Sequence, residues 1–214
     1  MNILAIGAHP DDVEFGCFGT LKKHINDGDK VYILVMSLSD VSDYDGNKIR
    51  IREESKLESD NAANMIGASI DYLNYEDTKI PFDSVIVGKI EKYIKEKNID
   101  MIYTHWTGDT HQDHINTIKS TLAASRYVNN VLCYEQVPLP RVGIHKPEIN
   151  YYVDISDVID IKIKSCECHK KQIDKFNNQG FDIIDAIENL SKYRGDQIGV
   201  KYAESFHILK MVKK

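Results

Sequence analysis

The sequence predicts an α/β protein: a single-domain, Rossmann-like three-layer fold with a mostly parallel sheet, in strand order 3-2-1-4-5 plus C-terminal additions. Short apolar runs alternate with segments of helical periodicity, the pattern of a parallel sheet covered on both faces. No repeat, low-complexity stretch or linker interrupts the 214 residues, so 1–214 read as one domain. Hydrophobic content of 42% beside 28% charged residues is ordinary for a soluble globular chain that can build one sizeable core.

The elements follow in order. Residues 2–8 form strand one through Ile3-Leu4-Ala5-Ile6-Gly7, and Gly16 to Asn26 a helix with Phe18, Leu21 and Ile25 at helical spacing, ended by Asp27-Gly28. Lys30–Leu38 is strand two, and 39–48 a polar Ser/Asp/Gly/Asn loop of the kind that carries function at a strand end. Ile49–Ile66 reads as a helix stopped by Gly67, Ile70–Tyr75 as strand three, and Phe82–Asn98 as a helix with Val85, Ile86, Ile90 and Ile94 on one side. Asp100–His105 is strand four, 106–110 a loop, His111–Tyr127 a helix and Asn130–Glu135 strand five. Pro138, Pro140 and Pro147 mark an irregular passage to a strand at Asn150–Ile155. Helices over Ser156–Asn177 and Asp182–Tyr193 and a last strand over Ala203–Leu209 complete the chain.

Composition narrows the function. A formal net charge of -6 without any Lys/Arg block speaks against nucleic acid as the main partner. No apolar run approaches a membrane span, and the N-terminal residues lack the pattern of a signal peptide, so a cytoplasmic protein without an integral membrane segment is expected. Cys17, Cys133, Cys166 and Cys168 do not form a disulfide framework in a chain of this length; Cys166-x-Cys168 lacks a second pair that would complete a metal site.

The chemistry concentrates in two segments. After strand one comes His9-Pro10-Asp11-Asp12, and after strand four His111-Gln112-Asp113-His114. In an open sheet of this order both would meet outside the strand ends, at the point where strand order reverses. A catalytic zinc takes imidazole and carboxylate ligands and keeps one position open. His9 and Asp12 can supply two ligands from one turn and His114 a third, leaving Asp11 to take a proton from the bound water. Ferrous iron suits the same donors. Asp11 and Asp12 would equally serve as ordinary caps of the next helix, with His9 packed nearby. Thr110 is the expected cap of the later helix, with His111 and His114 on one face of its first turn. There Asp113 would hold His111 in one tautomer, and protonated His111 would stabilise an oxyanion as an amide is hydrolysed.

His9-Pro10-Asp11-Asp12 with Glu14, Gly16 and Gly19-Thr20-Leu21, together with His111-x-Asp113-His114, resembles the PIG-L/LmbE family of zinc-dependent N-deacetylases. The resemblance spans nearly the whole chain. It implies hydrolysis of the acetamide of an N-acetylated amino sugar of N-acetylglucosamine type, with zinc on His9, Asp12 and His114. It further implies Asp11 as general base, and His111 with Asp113 as the oxyanion-stabilising acid and its partner. It implies homo-oligomerisation too, for which the sequence itself offers no pattern. Arg52-Glu53-Glu54 matches a stretch whose arginine faces the sugar, while in His169-Lys170-Lys171-Gln172 Lys171 stands where the family has serine. Tyr193-Arg194-Gly195 to Phe206 resembles the closing segment, where Glu204 is either near the site or a structural ion pair. His105 and Trp106, at the end of strand four, are candidates to line the pocket, Trp106 as a platform for a sugar face. His24, His145 and His207 belong to no pattern.

Three other readings compete: hydrolysis of a different small acylated amine, a sugar-binding module with a relic metal site, and a nucleotide binder. Retention of Asp11 and His111 beside the ligands opposes the relic. The missing G-x-G-x-x-G turn after strand one opposes the nucleotide binder.

Overall fold

The computed structural model describes residues 1–42, 48–137 and 148–213. The elements run β1 (Asn2–Gly7), α1 (Asp12–Asn26), β2 (Lys30–Ser37), β3 (Val41–Ser42), β4 (Lys48–Arg50), α2 (Arg52–Ile66), β5 (Ser69–Tyr75) and α3 (Ser84–Glu96). They continue with β6 (Met101–Thr104), α4 (Gln112–Ala124), β7 (Asn130–Tyr134), β8 (Tyr151–Asp154), α5 (Ile159–Cys166), α6 (Lys170–Asn178), α7 (Ile183–Ile198) and β9 (Ala203–Lys210).

Seven strands form the main sheet in the order β5-β2-β1-β6-β7-β9-β8, parallel from β5 to β7, with β9 antiparallel to both β7 and β8. The predicted order is therefore present, and the C-terminal additions extend the β7 edge. Both faces of β1 are covered, which is why it reads as an unbroken apolar run. Ile3 and Ala5 pack with Phe18, Leu21 and Ala62 on the α1/α2 side, while Leu4 and Ile6 pack with Ile86, Ile90 and Ala124 on the α3/α4 side.

Several predicted boundaries move, among them the end of the last helix, which runs to Ile198 and not Tyr193. The helix expected from Ile49 starts at Arg52, because residues 48–50 pair antiparallel with Val41–Ser42 and Ile51 is extended. The helix expected over Ser156–Asn177 is two, α5 and α6, separated by a turn in which Cys168 and His169 donate backbone N–H groups to Ser165 and Cys166. The first helix begins four residues early, at Asp12, and is broken at Cys17 (φ -145°, ψ 19°).

That break is held by a buried ion pair. Glu204 of β9 accepts the backbone N–H groups of Gly19 (2.9 Å) and Thr20 (2.7 Å), while Lys162 of α5 donates to the Phe15 carbonyl (3.1 Å) and to Glu204. Donors and acceptors freed by the break are thus satisfied from outside the helix. Glu204 is the structural ion pair, not a group of the site. Gly16 permits the approach of Tyr134, since a Cβ there would lie 2.4 Å from the tyrosine ring, whose hydroxyl donates to the Ile6 carbonyl (3.0 Å).

The four cysteines are free, and the Cys166 and Cys168 thiols face separate carbonyls, those of Glu14 and Lys164. Among the described residues no helix is long and apolar enough to cross a membrane. The proline passage through Pro138, Pro140 and Pro147, with His145, and residues 43–47 of the 39–48 loop lie outside the described residues.

Candidate metal centre

Two polar segments meet where β1 and β6 end side by side, at the reversal of strand order. They line a cavity of about 490 Å³ that contains His9, Asp11, Asp12, His111 and His114. Residues about a hundred positions apart are brought together as predicted.

The turn after β1 is tight: the Asp12 carboxylate accepts the His9 N–H at 2.7 Å. Asp11 has φ 125° and ψ -27°, a conformation that L-residues with a side chain avoid and that costs about 1–3 kcal/mol. It is nonetheless almost wholly buried, with its Oδ2 3.1 Å from an Arg50 guanidinium nitrogen. Burial pushes the Asp11 carboxyl up and outweighs the opposing pull of Arg50, leaving it at about 6. Such a group is ionised at neutral pH and basic enough to accept a proton.

Each histidine of the predicted trio faces a carboxylate behind it. Asp113 Oδ2 lies 3.0 Å from His9 Nε2, and Asp109 Oδ2 lies 2.8 Å from His114 Nδ1. The opposite nitrogens turn inward, His9 Nδ1 to 3.5 Å from Asp12 Oδ2 and His114 Nε2 to 3.5 Å from Asp12 Oδ1. This is the carboxylate–histidine pairing that orients imidazoles toward a metal. Burial alone would depress His9, but Asp113 and Asp12 overcome it and raise it to about 10. His114 is likewise raised against burial, by Asp12 and Asp109. Burial would raise Asp12, yet the neighbouring His114 and His105 hold it well below the carboxylate range. Two carboxylate-backed imidazoles whose free nitrogens converge on a third carboxylate make a donor set that fits a divalent metal.

Two overlapping groups have ligand atoms within 4.8 Å of one another: His9, His111 and His114, and Asp12, His105 and His114. Prior hydrogen bonds separate candidates within them. His105 Nε2 accepts the Ala8 N–H at 2.9 Å, and His111 Nδ1 accepts the Asp113 N–H at 3.2 Å. His9 Nδ1 and His114 Nε2 accept no such bond, and the Asp12 oxygens, which take the His9 N–H (2.7 Å) and the Gln136 amide (2.6 Å), each keep a second lone pair for an ion.

Several predicted placements differ. The cap of α4 is His111, not Thr110, since its own ring takes the Asp113 N–H. Asp113 does not hold His111; its carboxylate is spent on His9 and on the backbone N–H groups of Thr78 (2.6 Å) and Ile80 (3.2 Å). Burial, then the charges of His9 and His114, lower His111, so the ring is neutral. With Nδ1 accepting, its proton sits on Nε2. Arg52 does not reach the cavity: it is exposed and bonds Asn74 (2.7 Å), because it opens α2 beyond the β3–β4 hairpin. Arg50, on that hairpin, lines the cavity instead and contacts Asp11, Asp77 and Gln172.

Neither His105 nor Trp106 lines the cavity. The Ala8 bond and stacking on His114 (4.1 Å) keep His105 behind Asp12, and burial depresses it to about 4. Trp106 packs edge-on against His207 (5.0 Å) and so faces β9. His24 is tied between Asp29 and the Tyr103 hydroxyl, and His169 lies buried with Nε2 3.2 Å from Glu14.

Asp109 and Arg50 were not singled out from the sequence. The signal for the first is its loop, which follows a parallel strand at the switch point. The signal for the second is Asp45-Gly46, a hairpin dipeptide that should have delayed the helix start.

Residues 4–125, which hold every candidate ligand of this centre, match the model of the PIG-L family, described as GlcNAc-PI de-N-acetylase. The chain belongs to the PIG-L family. An uncharacterised deacetylase of Escherichia coli, YaiS, is 34% identical over 140 residues, covering 62% of this chain and 72% of the relative. The diacetylchitobiose deacetylase of Thermococcus kodakarensis is 26% identical over 230 residues, covering 97% of this chain and 82% of its own. The 4-carboxy-2-hydroxymuconate hydratase of Pseudomonas putida superposes with a TM-score of 0.81 at 17% identity, over 100% of this chain and 98% of that one. The PIG-L fold thus carries more than one chemistry, and the side chains of the site must decide between them.

Proposed function

We propose that the protein is a metal-dependent hydrolase that removes the acetyl group from an N-acetylated amino sugar. The observation that carries this is the pair of carboxylate-backed imidazoles, Asp113–His9 and Asp109–His114, converging on Asp12 beside a strained and buried Asp11. Deacetylase relatives that match much of the chain's length favour amide hydrolysis over hydration.

His9, Asp12 and His114 would hold the metal, with zinc or ferrous iron suited to two imidazoles and a carboxylate. When bound, such an ion acidifies water and polarises the acyl oxygen. Asp11 takes the proton that the attacking water loses as the new C–O bond forms. The neutral His111 presents Nε2–H to the oxygen on which negative charge develops. Asp11 then returns its proton to the departing nitrogen as the C–N bond breaks, so the products are acetate and a free amine. Arg50, on the cavity wall, anchors Asp11 through its carboxylate.

The test is acetate release from N-acetylglucosamine compounds and diacetylchitobiose, with metal-loaded and chelator-treated protein in parallel. Acetate that appears only with metal supports the reading. Metal-loaded protein that releases none from any of them overturns it.

A further inference from the structure

Beyond the reacting centre, the cavity has a cationic rim of its own. One face of α6 lines it, with Lys171 and Lys175 one helical turn apart and Gln172 and Gln179 beside them. Asp174, the only acidic residue of α6, is not part of that lining.

The floor's own cation is already neutralised, since Arg50 faces both Asp11 and Asp77. The rim's cations are not. Lys171 has only a loose contact with Glu54, 3.8 Å apart with both side chains nearly half exposed, and Lys175 has no carboxylate partner among the described residues. Two unspent ammonium groups at the mouth of a site whose depth is acidic will draw in a ligand whose far end is negative.

We infer that the natural substrate carries an anionic group, a phosphate or a carboxylate, on the part remote from the acetamide, and that Lys171 and Lys175 seat it. This rests on the deacetylase reading for its orientation: acetamide at the floor, anion at α6. It makes the two lysines specificity-determining residues.

The experiment compares kcat/KM for three N-acetylglucosamine derivatives: the methyl glycoside, the carboxymethyl glycoside and the 1-phosphate. The wild-type protein should prefer an anionic derivative over the methyl glycoside by roughly tenfold at low salt, since exposed charge pairs are individually weak. The preference should shrink as salt is raised. In Lys171→Gln/Lys175→Gln the ratio should fall to near one, while Lys170→Gln, off the lining face, should keep it. Which anionic derivative is favoured tells phosphate from carboxylate. A wild-type ratio near one, or a double variant that keeps the preference, overturns the inference. If no derivative releases acetate, the deacetylase reading fails instead, and calorimetric binding of the 1-phosphate decides the rim: binding weakened in the double variant upholds the anion seat, equal binding overturns it.

Discussion

Two clusters of buried charge flank the first half of α1, and they are built on opposite principles. At the Cys17 break, one cation and one anion, Lys162 and Glu204, are enclosed, and each also hydrogen-bonds backbone groups of α1. At the start of the helix, Asp11 and Asp12, with Asp113 behind His9, crowd three histidines around an open cavity, and Asp11 sits at a strained φ of 125°. The closed pair is complete without a ligand. The open cluster is complete only when something positive enters it. Burial of charge alone therefore does not mark a site; burial with unbalanced charge, strain and access does.

The largest expected effect breaks the open cluster. His114→Ala should abolish metal binding and with it hydrolysis, measured as metal per chain by elemental analysis; full metal retention would remove His114 as a ligand. Asp11→Asn should keep the metal and fold but lower kcat by about 100- to 10,000-fold, the span of a lost general base. Unchanged turnover would sink the assignment. The closed pair should fail differently. Glu204→Gln should destabilise by about 3–5 kcal/mol, because Lys162 is left buried and uncompensated. Adding Lys162→Met to it should recover part of that loss in denaturant melts. No recovery would mean that the splint acts through its hydrogen bonds to the backbone and not through its charge.

The sheet and its order were legible in the sequence because each parallel strand is an apolar run and each crossover a periodic helix. The meeting of the two histidine segments followed from that topology alone. What escaped was set by single hydrogen bonds. Arg52 and Arg50 lie two positions apart in one polar stretch, and only the pairing of residues 48–50 with Val41–Ser42 decides which of them faces the cavity. Asp113 follows His111 closely in sequence, but its carboxylate is claimed by His9 from a distant segment and by the loop after β5. Trp106 was a plausible platform until His207, on a strand joined antiparallel to β7, offered its ring a partner. Periodicity predicts elements, whereas side-chain partners across a hundred residues have no periodic signature.

A smaller effect sharpens the open side of the comparison. Asp109→Asn and Asp113→Asn each remove the carboxylate behind one imidazole and leave the inward nitrogens in place. Metal affinity should fall by about 10- to 100-fold in each, as for other partners behind a metal-bound histidine. Competition with a chelator reads this directly, and an affinity equal to wild type in both would show that the imidazoles need no such support.

The smallest effect tests a pair that lies between the two types, buried His169 against Glu14. Burial lowers the His169 pKa, but Glu14, with Asp11 behind it, raises it above the ordinary 6.5. A histidine raised in the folded state stabilises fully below its unfolded pKa, and that contribution is lost as pH rises through the folded value. The Tm advantage of the wild-type protein over His169→Gln should therefore be largest below pH about 6.5 and shrink on the alkaline side. If the advantage holds constant from acid to alkaline pH, His169 is neutral in the fold and acts only by packing against Phe15.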